Sequence, residues 1–116
     1  MRDYKKFTVW EKSYGFGIKV YTITKSFPKE EIYGLTSQMR RSAISIPSNI
    51  AEGSRRSTEK DFKSFLHIAY GSGAELETHI MFAKDLGYIS SETSNTLLVE
   101  LSEIMRMLNA FIQKLI

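Results

Sequence analysis

Apolar residues recur at steps of three and four along most of the chain, the period of an amphipathic helix rather than of a strand. Breaks in that pattern divide it into four segments. The first runs from about Val9 to Lys25 and carries Trp10, Tyr14, Ile18 and Tyr21 on one stripe, with Gly15 and Gly17 each weakening it by roughly 1 kcal/mol relative to alanine. Ser26-Phe27-Pro28 breaks the chain, and Pro28-Lys29-Glu30-Glu31 opens the second segment. Proline suits a first turn, whose N–H lacks a helical partner anyway, and the glutamates favour the positive end of the helix dipole. The stripe that follows is Ile32, Leu35, Met39, Ala43, Ile46 and Ile50. Pro47 interrupts it. Because the stripe continues to Ile50, the proline is expected to kink the helix rather than stop it, leaving the Ala43 carbonyl for another donor. Gly53 is the expected C-cap.

Ser57 or Thr58 is placed to cap a third helix, with Glu59 and Asp61 in its first turn. Its inward face reads Phe62, Phe65, Leu66, Ala69, Gly73, Leu76, Ile80 and Ala83. Gly87 follows as a cap, with Tyr88-Ile89 as the apolar contact beyond it. Ser90 or Ser91 starts the fourth helix, where Leu97, Leu101, Ile104, Leu108, Phe111 and Leu115 recur in heptad steps beside Leu98, Met105 and Ile112. Helices of these lengths joined by short links predict an all-α, antiparallel up-down four-helix bundle, a single domain over residues 1–116.

Composition adds two restrictions. With no cysteine, disulfides, thiolate nucleophiles and cysteine zinc sites are excluded, which suits a reducing compartment. The N-terminus lacks the apolar core of a signal peptide, and the uncharged stretch Ser42 to Ala51 is far too short for a membrane span. A cytoplasmic location, with no membrane partner, is therefore expected. The net charge is only +3, yet unevenly placed: residues 1–63 hold 13 basic and 7 acidic side chains, a balance of +6, and residues 64–116 hold 3 and 6, a balance of −3. Such asymmetry marks a surface for an anionic partner.

Arg40, Arg41, Arg55, Arg56, Lys60 and Lys63 form the candidate nucleic-acid-binding set, since guanidinium forks suit phosphates. No aromatic residues interleave with these arginines in sequence to stack bases, and nearby Glu30, Glu31, Glu52 and Glu59 offer alternative partners. Beside the apolar stripe of helix two runs a second one, Gln38, Ser42, Ser45, Asn49 and Glu52. Small polar groups at this spacing fit an oligomer interface or a fixed polar seam, and the interface is the reading preferred here. His67, Gly71, Glu75 and His79 lie four apart on helix three, but di-iron bundles need Glu-x-x-His on two helices, so a surface pair and no metal is expected. Gly71-Ser72-Gly73-Ala74-Glu75 lacks the third glycine and preceding strand of a phosphate-binding loop, and close helix packing accounts better for its glycines. With two histidines and no Gly-x-Ser-x-Gly elbow, neither an enzyme activity nor a cofactor is expected.

The run from Phe27 through Arg40-Arg41-Ser42-Ala43 to Ile46-Pro47-Ser48-Asn49-Ile50-Ala51-Glu52-Gly53 resembles the bacterial family of 23S rRNA intervening-sequence proteins. Val9-Trp10 with Tyr21, Phe65 to Ser72, Glu75-Leu76-Glu77-Thr78 and Leu86-Gly87-Tyr88 extend the resemblance over most of the chain, while helix four matches in pattern alone and Gly73 departs from the family's usual larger residue. The resemblance implies a four-helix bundle, encoded in or related to proteins encoded in insertions within large-subunit rRNA genes. It is also similar in kind to the accessory variability proteins of diversity-generating retroelements, which form five-membered rings and bind nucleic acid. The expected partners are thus further copies of the chain, as a homo-oligomer and possible pentamer, and structured RNA; a protein-interaction scaffold without nucleic acid is the alternative.

Overall fold

The computed structural model describes residues 2–115. Four helices make up the fold: α1 (Thr8–Thr24), α2 (Leu35–Ser54), α3 (Glu59–Asp85) and α4 (Ser91–Lys114), with single 3₁₀ turns at Tyr4–Lys6 and Lys29–Glu31. Their ends are set by local chemistry. The Thr58 hydroxyl accepts from the Asp61 N–H and starts α3, and the Ser90 hydroxyl accepts from the Thr93 N–H to start α4. At the end of α3, Gly87 takes φ +80°, the Tyr88 N–H reaches back to the Ala83 carbonyl and the Gly87 N–H to that of Lys84. This is a Schellman closure, which needs a residue comfortable at positive φ.

Helix two starts later than Pro28 suggests. Lys29–Glu31 form only a 3₁₀ turn, and α2 begins after Gly34, where the Glu31 carboxylate accepts from the Leu35 N–H at 3.0 Å and from the Tyr88 hydroxyl at 2.7 Å. Those two donors hold the Glu31 carboxyl below its usual range, the backbone N–H more strongly. Helix α2 then runs through Pro47 to Ser54. Gly53 is not its cap. It sits buried within the last turn, where an added Cβ would lie 2.6 Å from the Phe65 Cβ, so its hydrogen lets α3 cross closely.

Cross-helix pairs establish the topology. Lys12 meets Glu103 at 3.0 Å and Lys19 meets Glu100. Arg40 reaches Thr24 at 2.8 Å; Ser42 reaches His79 and Ser45 reaches Ser72. Phe62 packs on Phe111, and an added Cβ at Gly73 would collide with Met105. Every neighbouring pair is antiparallel, and among the described residues the diagonal pairs make no close backbone approach. The result is an up-down square bundle with extents of 43 × 24 × 20 Å, its length close to the roughly 40 Å that a 27-residue α3 spans at 1.5 Å per residue.

The core is built from Met39, Ala43, Ile46 and Ile50 of α2, from Phe62, Leu66, Ala69, Leu76, Ile80 and Ala83 of α3, and from Leu97, Leu101, Ile104, Leu108 and Ile112 of α4. Each large side chain removed from water stabilises the bundle by about 1.5–3 kcal/mol before entropy is counted. Ile32 stays exposed, and Phe65, Phe111 and Leu115 are only partly covered. On α1 the inward residues are Val9, Ser13, Phe16, Gly17, Val20 and Thr24. Of the stripe Trp10, Tyr14, Ile18 and Tyr21, Trp10 is half-buried against the core, while the other three face outward, with Tyr14 53% and Ile18 57% exposed. Gly71, attributed above to close packing, is also exposed and has nothing within 4 Å of a Cβ placed on it.

Candidate nucleic-acid interface

Because α1 ascends and α2 descends, the start of α1, the end of α2, the start of α3 and the end of α4 share one end of the bundle. Phe7, Phe62 and Phe111 pack there with ring centroids 5.1–6.3 Å apart. Basic residues from three segments converge around these rings. Arg2 reaches the Ser54 carbonyl at 3.4 Å and lies over the Phe62 ring. Arg55 lies over the Tyr4 ring, and Arg56 over Phe65 while pairing with Glu52 at 3.1 Å. Lys5 and Lys6 close the N-terminal 3₁₀ turn, and Lys60 and Lys63 occupy the first turns of α3. Among the described residues these four lysines enter no ion pair. Their charges are solvated, and Asp3, Glu59 and Asp61 offset them only in part.

Four of the six sequence-derived candidates, Arg55, Arg56, Lys60 and Lys63, are thus brought together, and Arg2, Lys5 and Lys6 are additions. Their signal was present: residues directly before α1 must sit beside the α2–α3 link in an antiparallel bundle. Arg40 and Arg41 lie elsewhere, 14 to 15 residues up α2 from Arg55, or about 21–22 Å at the helical rise. Both are engaged within the chain. The Arg40 Nε–H donates to Thr24, its guanidinium covers the Tyr21 ring at 4.6 Å, and Arg41 pairs with Glu75 at 3.0 Å. Aromatic residues do accompany the arginines in space, although sequence order hides it.

The polar stripe of α2 faces α3 of the same chain. Ser42 is fully buried, its hydroxyl donating to the Met39 carbonyl and lying 3.2 Å from His79 Nδ1. Ser45 Oγ is 2.8 Å from Ser72 Oγ, and the Asn49 amide donates to both the carbonyl and the hydroxyl of Ser45. Ser42 and Ser45 thus take part in a polar seam with α3, Asn49 is tied to Ser45 on α2 itself, and Ser45 and Asn49 stay half-buried while Gln38 and Glu52 are exposed at the ends of the stripe. His79 is likewise no surface residue. It is 8% exposed, and burial lowers its pKa, with Glu75 opposing and Arg41 reinforcing that shift. Among the described residues no group of histidine and carboxylate side chains could hold a metal ion, and no helix is long and apolar enough to cross a membrane.

Fold and site together define an up-down four-helix bundle with a basic end and a closed polar seam between α2 and α3. The chain belongs to the 23S rRNA-intervening sequence protein family, whose model matches residues 5–110. It is similar to a crystal structure, at 1.70 Å, of a protein of unknown function from the S23 ribosomal protein family of Bacteroides thetaiotaomicron VPI-5482. The two share 26% identity over 90% of this chain and 95% of that one, with a TM-score of 0.84. Neither description names an enzyme activity. Comparison with curated proteins finds no match.

Proposed function

We propose that this protein is a non-enzymatic, self-assembling four-helix bundle that binds structured RNA through its basic end. The observation that carries the reading is the convergence of Arg2, Lys5, Lys6, Arg55, Arg56, Lys60 and Lys63 from three separate segments on one end. Charges so gathered attract a polyanion by releasing its counterions, an interaction indifferent to sequence and steeply dependent on salt. The family is described as that of 23S rRNA-intervening sequence proteins, a description that names an rRNA sequence and supports the reading. Catalysis finds no support: the Ser42–His79 pair is buried.

Self-assembly would repeat the basic end around an assembly and make a modest charge multivalent; a ring of five is the geometry the family resemblance favours. A protein-interaction scaffold is the second reading, favoured by the outward stripe of Tyr14, Ile18 and Tyr21. Fluorescence anisotropy of a structured RNA at rising salt decides between them. Binding that weakens steeply with salt supports the RNA reading, and absence of binding at low salt selects the scaffold.

A further inference from the structure

At the end of the bundle opposite the basic one, a cavity of about 450 Å³ opens where α1 ends and α2 begins. Its apolar lining is Phe27, Pro28 and Ile32, with Phe27 buried and Ile32 47% exposed. Three cations border the same space, Lys25, Lys29 and Arg40, and no carboxylate lines it. Among the described residues none of the three enters an ion pair. Arg40 is nonetheless fixed in place, its Nε–H donating to Thr24 Oγ1 at 2.8 Å and its Nη2 to the Tyr21 carbonyl at 3.4 Å. Two of its five N–H donors are used in this way, and its charge is not neutralised. The Glu31 carboxylate, close by in sequence, is taken up by the Leu35 N–H and the Tyr88 hydroxyl.

Thr36 gives a second, independent sign of a polar ligand. It borders the cavity, is 3% exposed, and makes no side-chain hydrogen bond to a described residue. Elsewhere in the helices Thr22, Thr24, Thr78 and Thr96 donate to the carbonyl four residues back. At Thr36, in the first turn of α2, that bond is not made. Among the described residues the fully enclosed side-chain atoms without a partner are Glu59 Oε2 and Ser94 Oγ. The Thr36 hydroxyl therefore keeps an opening, and the space it borders is this cavity. A hydroxyl so placed is destabilising unless something supplies a partner. The backbone N–H groups of Thr36 and Ser37 also find no acceptor among the described residues, so the cavity meets the positive end of a 20-residue helix.

We infer that this cavity binds a small organic phosphate. Arg40, Lys25 and Lys29 neutralise the phosphate, the Thr36 hydroxyl donates a hydrogen bond to it, and Pro28 and Ile32, backed by Phe27, receive the body of the molecule. A phosphate monoester suits the site better than a carboxylate does. It bears a charge of about −1.5 to −2 at pH 7, which several unpaired cations match, and its oxygens accept from a guanidinium fork and a hydroxyl together. The volume is that of a small-molecule site. This ligand is independent of the RNA reading, because the basic end lies at the other end of the helices.

The test titrates the isotope-labelled full chain with phenyl phosphate and with inorganic phosphate at one ionic strength, followed by NMR. Phenyl phosphate should saturate, with its largest shifts at the amides of Lys25, Lys29 and Thr36 and at the Arg40 Nε–H. It should bind about tenfold more tightly than inorganic phosphate, because its ring covers apolar lining. Thr36→Val should weaken phenyl phosphate about tenfold, the worth of one hydrogen bond to a charged group. The same variant should keep its urea unfolding midpoint, since the hydroxyl has no partner in the chain to lose. Lys25→Gln/Lys29→Gln, at two exposed positions, should also weaken binding and leave the fold intact. Equal affinity for the two anions, or unaltered affinity in Thr36→Val, would mean an adventitious ion only and overturn the inference. A lowered midpoint in Thr36→Val would give its hydroxyl a structural role instead. Shifts centred on Lys5, Lys6, Lys60 and Lys63, or displacement of a structured RNA by phenyl phosphate, would assign phosphate binding to the RNA surface and remove the separate site.

Discussion

Ser42 Oγ and His79 Nδ1 lie 3.2 Å apart at the buried α2–α3 seam. The Ser42 hydroxyl lies at the same distance from the Met39 carbonyl, so the neutral ring meets it as donor or as acceptor according to its tautomer. Protonating the ring would place a charge at a site 8% exposed. The folded-state pKa of His79 is lowered from 6.5, with burial the largest cause. The unfolded chain therefore binds the proton more readily, and stability declines as pH falls through 6.5 toward the lowered native value, levelling off below it. Chemical denaturation at a series of pH values should show this decline, and a folded His79→Gln variant should lack it. An identical pH slope in that variant would show that His79 does not titrate as described.

Glu31 acts in a lower window. Its carboxyl is held below the ordinary 4.5 by the Leu35 N–H first and the Tyr88 hydroxyl second. Its contribution to stability is present above the unfolded pKa and lost as pH falls through the native one. Tyr88→Phe should raise the Glu31 pKa only part of the way to 4.5, because the stronger backbone donor remains. Carbon-detected NMR titration of the carboxyl reads the value directly; no change in Tyr88→Phe would remove the tyrosine from the account.

Two glycines should respond oppositely to alanine. At Gly15, exposed inside α1, an added Cβ meets nothing, so Gly15→Ala should stabilise by about 0.5–1 kcal/mol through lower chain entropy. At Gly53 the same methyl would sit 2.6 Å from the Phe65 Cβ and 3.0 Å from Phe62 Cδ1, so α2 and α3 must move apart. Gly53→Ala should therefore destabilise by about 1–3 kcal/mol. Urea unfolding midpoints at constant m-value report both.

The fold was largely legible because α3 and α4 each carry one dominant apolar stripe and their ends carry the residues that cap them, Thr58, Gly87 and Ser90. Helix α1 was not, because it has two apolar stripes. Trp10, Tyr14, Ile18 and Tyr21 form the bulkier one, yet the inward stripe contains Ser13, Gly17 and Thr24, whose small size permits close packing. Periodicity finds stripes and does not say which neighbour covers them. The same limit hid the cross-helix partners of Ser42 and Ser45, which depend on His79 and Ser72 standing opposite. At the candidate site, adjacency in sequence grouped Arg40 and Arg41 with Arg55 and Arg56, although a helix carries the pairs to different places.

That separation makes RNA binding testable by position. The slope of log affinity against log salt reports the number of phosphates neutralised, about 0.7–0.9 for each. For a structured RNA, Arg55→Ala/Arg56→Ala should weaken binding and make the slope shallower by about 1–2. Arg40→Ala/Arg41→Ala removes groups engaged with Thr24, Tyr21 and Glu75, so it should lower the unfolding midpoint and leave the slope unchanged. A slope unaltered by loss of Arg55 and Arg56, or altered equally by the two pairs, would contradict binding through the basic end.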